Sequence, residues 1–164
     1  MEAGSWGSHE QVERLTGAIY ATIVVAGVLA ASEWDPDPHA ADTGLYALGT
    51  VLVLWVTHAW AHTLGHRYMH DGHPGGRLGY SLAHDWPLVQ AALPALAALA
   101  LARLAGTSDE TAINLAFWVC VATLTAAGAL IAWRSREPPW RIVAAGAGCG
   151  LLGLALVLLK ELLG

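Results

Sequence analysis

Five long apolar runs, separated by four short polar segments, organise the chain at roughly 15–31, 45–64, 86–105, 112–133 and 141–163. A helix needs about 20 residues to cross the hydrocarbon core of a bilayer, and these runs approach or reach that length. The pattern predicts an all-α, polytopic membrane bundle of about five transmembrane helices, one domain over 1–164. "SEWDPDPHAADTG", "DGHPGGRLGYSLAHD", "AGTSDET" and "RSREPPW" carry the turn formers and read as the connections. In the third run Pro87 falls in the first turn, where proline is tolerated. Pro94 is interior and is expected to kink the helix.

The connections differ in charge, and that sets a direction. The first holds Glu33, Asp35, Asp37 and Asp42 and no Lys or Arg. Arg67 and Arg77 belong to the second, and Arg134, Arg136 and Arg141 border the fourth. Arg14 precedes the first run. Basic residues collect on the cytoplasmic side of membrane helices, so the N-terminus is expected in the cytoplasm and the C-terminus outside. Trp34, Trp86, Trp133 and Trp140 lie near span ends, as interfacial aromatics do. The leader "MEAGSWGSHEQVERLTG" is acidic and no small-x-small cleavage site follows it. The first run therefore reads as a retained span rather than a signal peptide.

Composition agrees with the spans. Only 13% of the 164 residues are charged, against about 25% in a usual soluble domain. The net charge of −5 is concentrated in one loop, which is no nucleic-acid signature. Cys120 and Cys149 lie inside apolar runs and form no disulfide framework. The expected location is the cell membrane, as a multi-pass protein with the lipid bilayer as its partner. Gly146, Gly150 and Gly153 in the fifth run, and Ala18, Thr22 and Ala26 in the first, form rows of small residues. Such rows let backbones approach closely, within one chain or between the subunits of a homo-oligomer.

Candidate chemistry concentrates in "THAWAHTLGHRYMHDGH", Thr57 to His73, which holds five of the eight histidines. His58, His62, His66 and His70 follow one another at i, i+4, so they form a slowly drifting stripe on a helix. His58 and His62 fall inside the second span and must face protein or water rather than acyl chains. His66, His70 and His73 fall at its cytoplasmic rim, where His84 and Asp85 close the connection. Three readings follow: a metal site, a path or sensor for protons or cations, and a structural polar seam. The metal reading takes His62, His66, His70, His73, His84 and Asp85 as ligands for zinc, iron or copper, all of which accept imidazole. "HRYMHDGH" is similar to the histidine boxes of membrane di-iron desaturases and hydroxylases. Those enzymes carry further boxes, and no histidine follows His84, so an enzyme of that type is not expected.

The conduction reading takes a polar network of Arg14, Tyr20, His58 and His62. Thr16 and Tyr20 share a face of the first helix and can reach a histidine of the second. No acidic residue falls mid-span by these boundaries, which argues against a carboxylate-based transporter. No phosphate-binding glycine loop, Ser-His-Asp arrangement or CxxC pattern is present.

"RLTGAIY", "WVTH" and "WPLVQAALP" occur in that order. This resembles the prokaryotic and lysosomal potassium-channel family whose first helix begins with an Arg-x-x-x-Phe-Ser-Asp motif. Arg14 stands at the family arginine, and Trp55 and His58 at the second-helix Trp and His. Ala18, Ile19 and Tyr20 replace Phe-Ser-Asp. The resemblance implies a homo-oligomeric channel lined by the first helix, with Ile19 and Ile23 narrowing the pore. Arg14 and His58 would brace the pore helices. The leading expectation is a small homo-oligomer that passes or senses cations or protons. A histidine-rich metal-binding membrane protein and a non-catalytic assembly subunit are the alternatives.

Overall fold

Helix satisfies every backbone donor and acceptor within one segment, which is what apolar surroundings demand. The computed structural model describes residues 6–32, 37–69 and 75–163, with side chains for 16–32, 37–64, 78–155 and 158. It contains α1 (Trp6–Ser32), α2 (Ala40–Met69), α3 (Gly75–His84), α4 (Trp86–Leu104), α5 (Asp109–Arg134) and α6 (Pro139–Leu163). No strand occurs among the described residues. Asp85 alone separates α3 from α4, so the six helices form five columns. Among the described residues three stretches are long and apolar enough to cross a membrane: Ala40–Leu64, Leu78–Leu104 and Asp109–Arg134. The described apolar parts of the first and last columns, Thr16–Ser32 and Pro139–Ala155, are shorter.

α1 is central and packs on α2, α4, α5 and α6. Its Ala21, Val25, Ala26 and Leu29 are buried. Val25, Ala26 and Leu29 share one cluster with Ala47 and Val51 of α2, Val89, Ala92 and Leu99 of α4, and Ile113, Ala116 and Phe117 of α5. Alanine dominates this core because helices in lipid gain by close van der Waals approach. Large apolar side chains point the other way: Val53, Val56, Leu101, Trp118, Val143 and Leu151 are exposed, while Thr22, Thr63, Ser81 and Asp85 are buried. Apolar outside and polar inside is the arrangement that a lipid solvent favours.

The glycine row of α6 is used within the chain. A Cβ on Gly150 would stand 2.7 Å from Thr125 Oγ1, and one on Gly153 would stand 3.1 Å from Val121. Across the same seam, a Cβ on Gly128 would meet the Ala145 carbonyl oxygen and Cys149 Sγ at 2.7 Å each. The α4–α5 connection turns at Gly106, whose φ is +81°. Its N–H bonds the Arg103 carbonyl, and the Thr107 N–H reaches back to Ala102. This is the reversed-turn helix stop that a left-handed glycine permits. Ser108 then caps α5 by accepting from the Thr111 N–H.

One finding differs from the sequence expectations. The segment read as a connection between the second and third spans contains α3. Its glycines and Pro74 suggest a loop, yet Leu78, Ser81, Leu82 and Asp85 recur at helical spacing. Leu78 and Leu82 are half-buried, and Ser81 and Asp85 are buried. Tertiary packing of that face outweighs the low helix propensity of glycine. As the sequence led one to expect, the helical column breaks at Asp85, Pro87 lies in the first turn of α4 and Pro94 lies inside that helix. A proline removes a donor and clashes with the carbonyl four residues earlier. Around the break Asp85 N–H still bonds Ser81, and Leu88 N–H bonds Asp85.

Candidate metal centre

α3 is held on α2 by three contacts that set its register. The Trp55 indole donates to the Leu82 carbonyl at 2.9 Å, next to the proline break. The Thr63 hydroxyl, bonded to Ala59, lies 3.5 Å from Ser81 Oγ. His62 Nδ1 lies 3.5 Å from Asp85 Oδ2. Trp55 also packs edge-on against Trp86, with ring centroids 5.5 Å apart. Together these place the last turns of α2 beside the α3–α4 junction.

The third contact is chemically unusual. Asp85 is 4% exposed, and its Oδ2 accepts no hydrogen bond among the described residues. It occupies the N-cap position of α4, where an aspartate normally accepts from the first turn, yet its side chain makes no cap bond. The carboxylate faces His62 instead. A buried carboxylate oxygen without a hydrogen bond is costly, and proteins pair such a group or bind a metal with it. The His58 and His62 rings stand 4.6 Å apart, one helical turn from each other. One ligand atom from each of His58, His62 and Asp85 falls within a common 4.8 Å. Two ligands of a tetrahedral ion at 2.0–2.1 Å stand about 3.4 Å apart, close to the His62–Asp85 separation.

The three groups line a cavity of about 580 Å³ between α1, α2 and the α3–α4 junction. Thr16, Gly17 and Tyr20 contribute from α1, and Leu54, Thr57 and Ala61 from α2. His84, Pro87 and Leu88 complete the α3–α4 side. The His84 ring is 6.4 Å from that of His62 and stacks on Tyr80 at 6.1 Å.

The sequence divides the histidine stretch in two, with His58 and His62 beside Tyr20 and a rim group containing His84 and Asp85. The structure brings His84 and Asp85 to His58, His62 and Tyr20. Asp85 also lies inside the apolar stretch Leu78–Leu104, so an acidic residue does occur within a candidate span. Asp85 lies toward the Leu78 end of that stretch, because α3 extends the third column backward past the junction. Ile19 and Ile23 are half-buried and are not among the cavity-lining residues. Arg14 and His66 are helical, but their side chains lie outside the described residues, and His70 and His73 lie outside them altogether.

Sequence reasoning grouped His62 with Asp85 in its metal reading but left His58 out of that set, and it missed the cavity walls at Gly17, Leu54, Ala61 and Leu88. The available signal was the helical spacing of Leu78, Ser81, Leu82 and Asp85, which puts the carboxylate on the face turned to α2. No family model, curated protein or solved structure matches the chain.

Proposed function

We propose that the chain is a multi-pass cell-membrane protein that binds a divalent transition-metal ion through His58, His62 and Asp85. The observation that carries this reading is the buried Asp85 carboxylate, which caps no helix and faces two imidazoles a turn apart. Two nitrogens and one carboxylate suit zinc or ferrous iron, and three protein ligands leave coordination positions toward the cavity. The positive-inside distribution of arginine puts the centre at the cytoplasmic end of the bundle. Purification into lipid nanodiscs without chelator, followed by elemental analysis, tests the reading. About one ion per chain is expected for wild type, and none for His62→Ala or Asp85→Asn. A wild type that neither retains nor takes up metal overturns it.

A second reading is passage of protons or cations by a homo-oligomer, which the likeness of Arg14, Trp55 and His58 to the channel family supports. The observation that favours it is the sequence of ring separations His58–His62–His84, 4.6 and 6.4 Å, beside the cavity. Proteoliposomes carrying a pH-sensitive dye would leak faster than empty ones, and His58→Ala/His62→Ala would abolish the difference. Equal leakage in all three removes this reading.

A further inference from the structure

The metal ion alone leaves the cavity's charge and volume unbalanced. A divalent ion on two neutral imidazoles and one carboxylate carries a net charge of +1. No Lys, Arg or second acid is among the described residues that line the cavity. Asp85 is buried beneath the half-exposed imidazoles, so a single negative charge at the open coordination position is favoured on that side of the ion. Hydroxide would supply that charge but occupies about 30 Å³, a small part of the 580 Å³ present. The remaining space is bounded by Gly17, Leu54, Ala61, Pro87 and Leu88, which offer no polar side chain. Tyr20, Thr57 and His84 add hydroxyl and imidazole groups to the same lining. A pocket of this size and character takes a ligand with a small polar head and an apolar body.

We infer that the cavity binds an aliphatic monocarboxylate, with its head on the metal ion and its chain against Gly17, Leu54, Ala61, Pro87 and Leu88. The inference rests on the metal reading, and cobalt separates the two. Co²⁺ bound by nitrogen and oxygen ligands shows visible d–d bands that respond to a change of coordination. The protein in nanodiscs is loaded with Co²⁺ and titrated with acetate, butyrate, hexanoate and octanoate, with octanol as the uncharged control. The expected result is a saturable band change with every carboxylate and none with octanol. Affinity is expected to rise about fourfold for each methylene that the apolar wall covers. Ala61→Phe, an exposed position on α2, keeps the cobalt bands and weakens octanoate more than acetate. A normal cobalt spectrum with no dependence on chain length, or equal response to octanol, overturns the inference and leaves the metal reading standing. The absence of Asp85-dependent cobalt bands overturns both. The chain-length series in wild type decides the matter even if Ala61→Phe does not fold.

Discussion

Two aspartates at helix junctions, Asp85 and Asp109, live in opposite circumstances. Asp109 Oδ1 accepts from the Ala40 N–H at 3.1 Å and from Arg103 Nε at 2.9 Å. It thereby closes the start of α2 and neutralises the end of α4, and its side chain is 35% exposed. Arg103 also bonds the Thr107 carbonyl, so the whole corner is tied down. Asp85 is buried, and its Oδ2 accepts no hydrogen bond among the described residues and stands 3.5 Å from His62 Nδ1. Each end of the bundle also uses a remote side chain to complete a helix terminus. Asp109 serves Ala40 at one end, and Trp55 serves Leu82 at the other. The difference lies in what remains after that bonding. At the Asp109 corner the ionic groups are paired, so it reads as structural. At the Asp85 junction a buried charge is left over, and that is where binding chemistry belongs.

The strongest way to break this contrast is to exchange the roles by substitution. Asp85→Asn is expected to weaken metal binding by more than about 100-fold, since even an outer-shell partner is worth 10–100-fold. The same substitution at Asp109 leaves metal affinity unchanged. Zinc titration of the two variants measures this, and equal losses would erase the distinction between the two junctions.

Trp55→Phe tests whether the proline break needs its distant donor. It keeps an aromatic ring against Trp86 but leaves the Leu82 carbonyl without the indole. A loss of about 1–3 kcal/mol is expected, read from thermal unfolding in nanodiscs. Because α3 carries Asp85 to His62, the variant also weakens zinc binding. Unchanged stability and affinity would show that the indole bond does not hold the junction.

Asp109→Ala removes a half-exposed cap and ion pair together. Its expected cost is smaller, about 1 kcal/mol, because exposed pairs contribute little. A loss as large as that of Trp55→Phe would mean the two junctions are equally strained.

The smallest effect is a pH dependence at His39, beside the Asp109 corner. Its Nδ1 bonds the Asp37 carbonyl at 2.8 Å. That bond, then the Asp37 charge, raises its pKa above the ordinary 6.5. A raised value in the folded state means folding favours the protonated ring. The contribution is therefore complete below pH 6.5 and fades as pH rises through the folded-state value. Thermal melts at acid and alkaline pH are expected to differ slightly more for wild type than for His39→Gln. The ring is fully exposed, so a large difference would point to another group.

Much of the architecture is legible in the residue pattern. The run read as 86–105 is α4, Trp86–Leu104, and that read as 112–133 lies within α5, Asp109–Arg134. Hydrophobic length and turn formers suffice there because each helix satisfies its own backbone. α3 was hidden because glycine and proline speak for a loop locally, while the burial of Ser81 and Asp85 against α2 speaks only in three dimensions.

The same division holds for the site. An i, i+4 repeat places His58 and His62 on one face of a helix from local geometry alone. The repeat does not say which of the following histidines and acids completes the group. His62 and Asp85 are 23 positions apart, and their meeting depends on the break at Asp85 and the indole bond that sets α3 against α2. Sequence determined the helices, the apolar exterior and the imidazole pair, because these follow from local periodicity and composition. Tertiary structure alone decided that a carboxylate is buried beside that pair, because burial is a property of how helices pack.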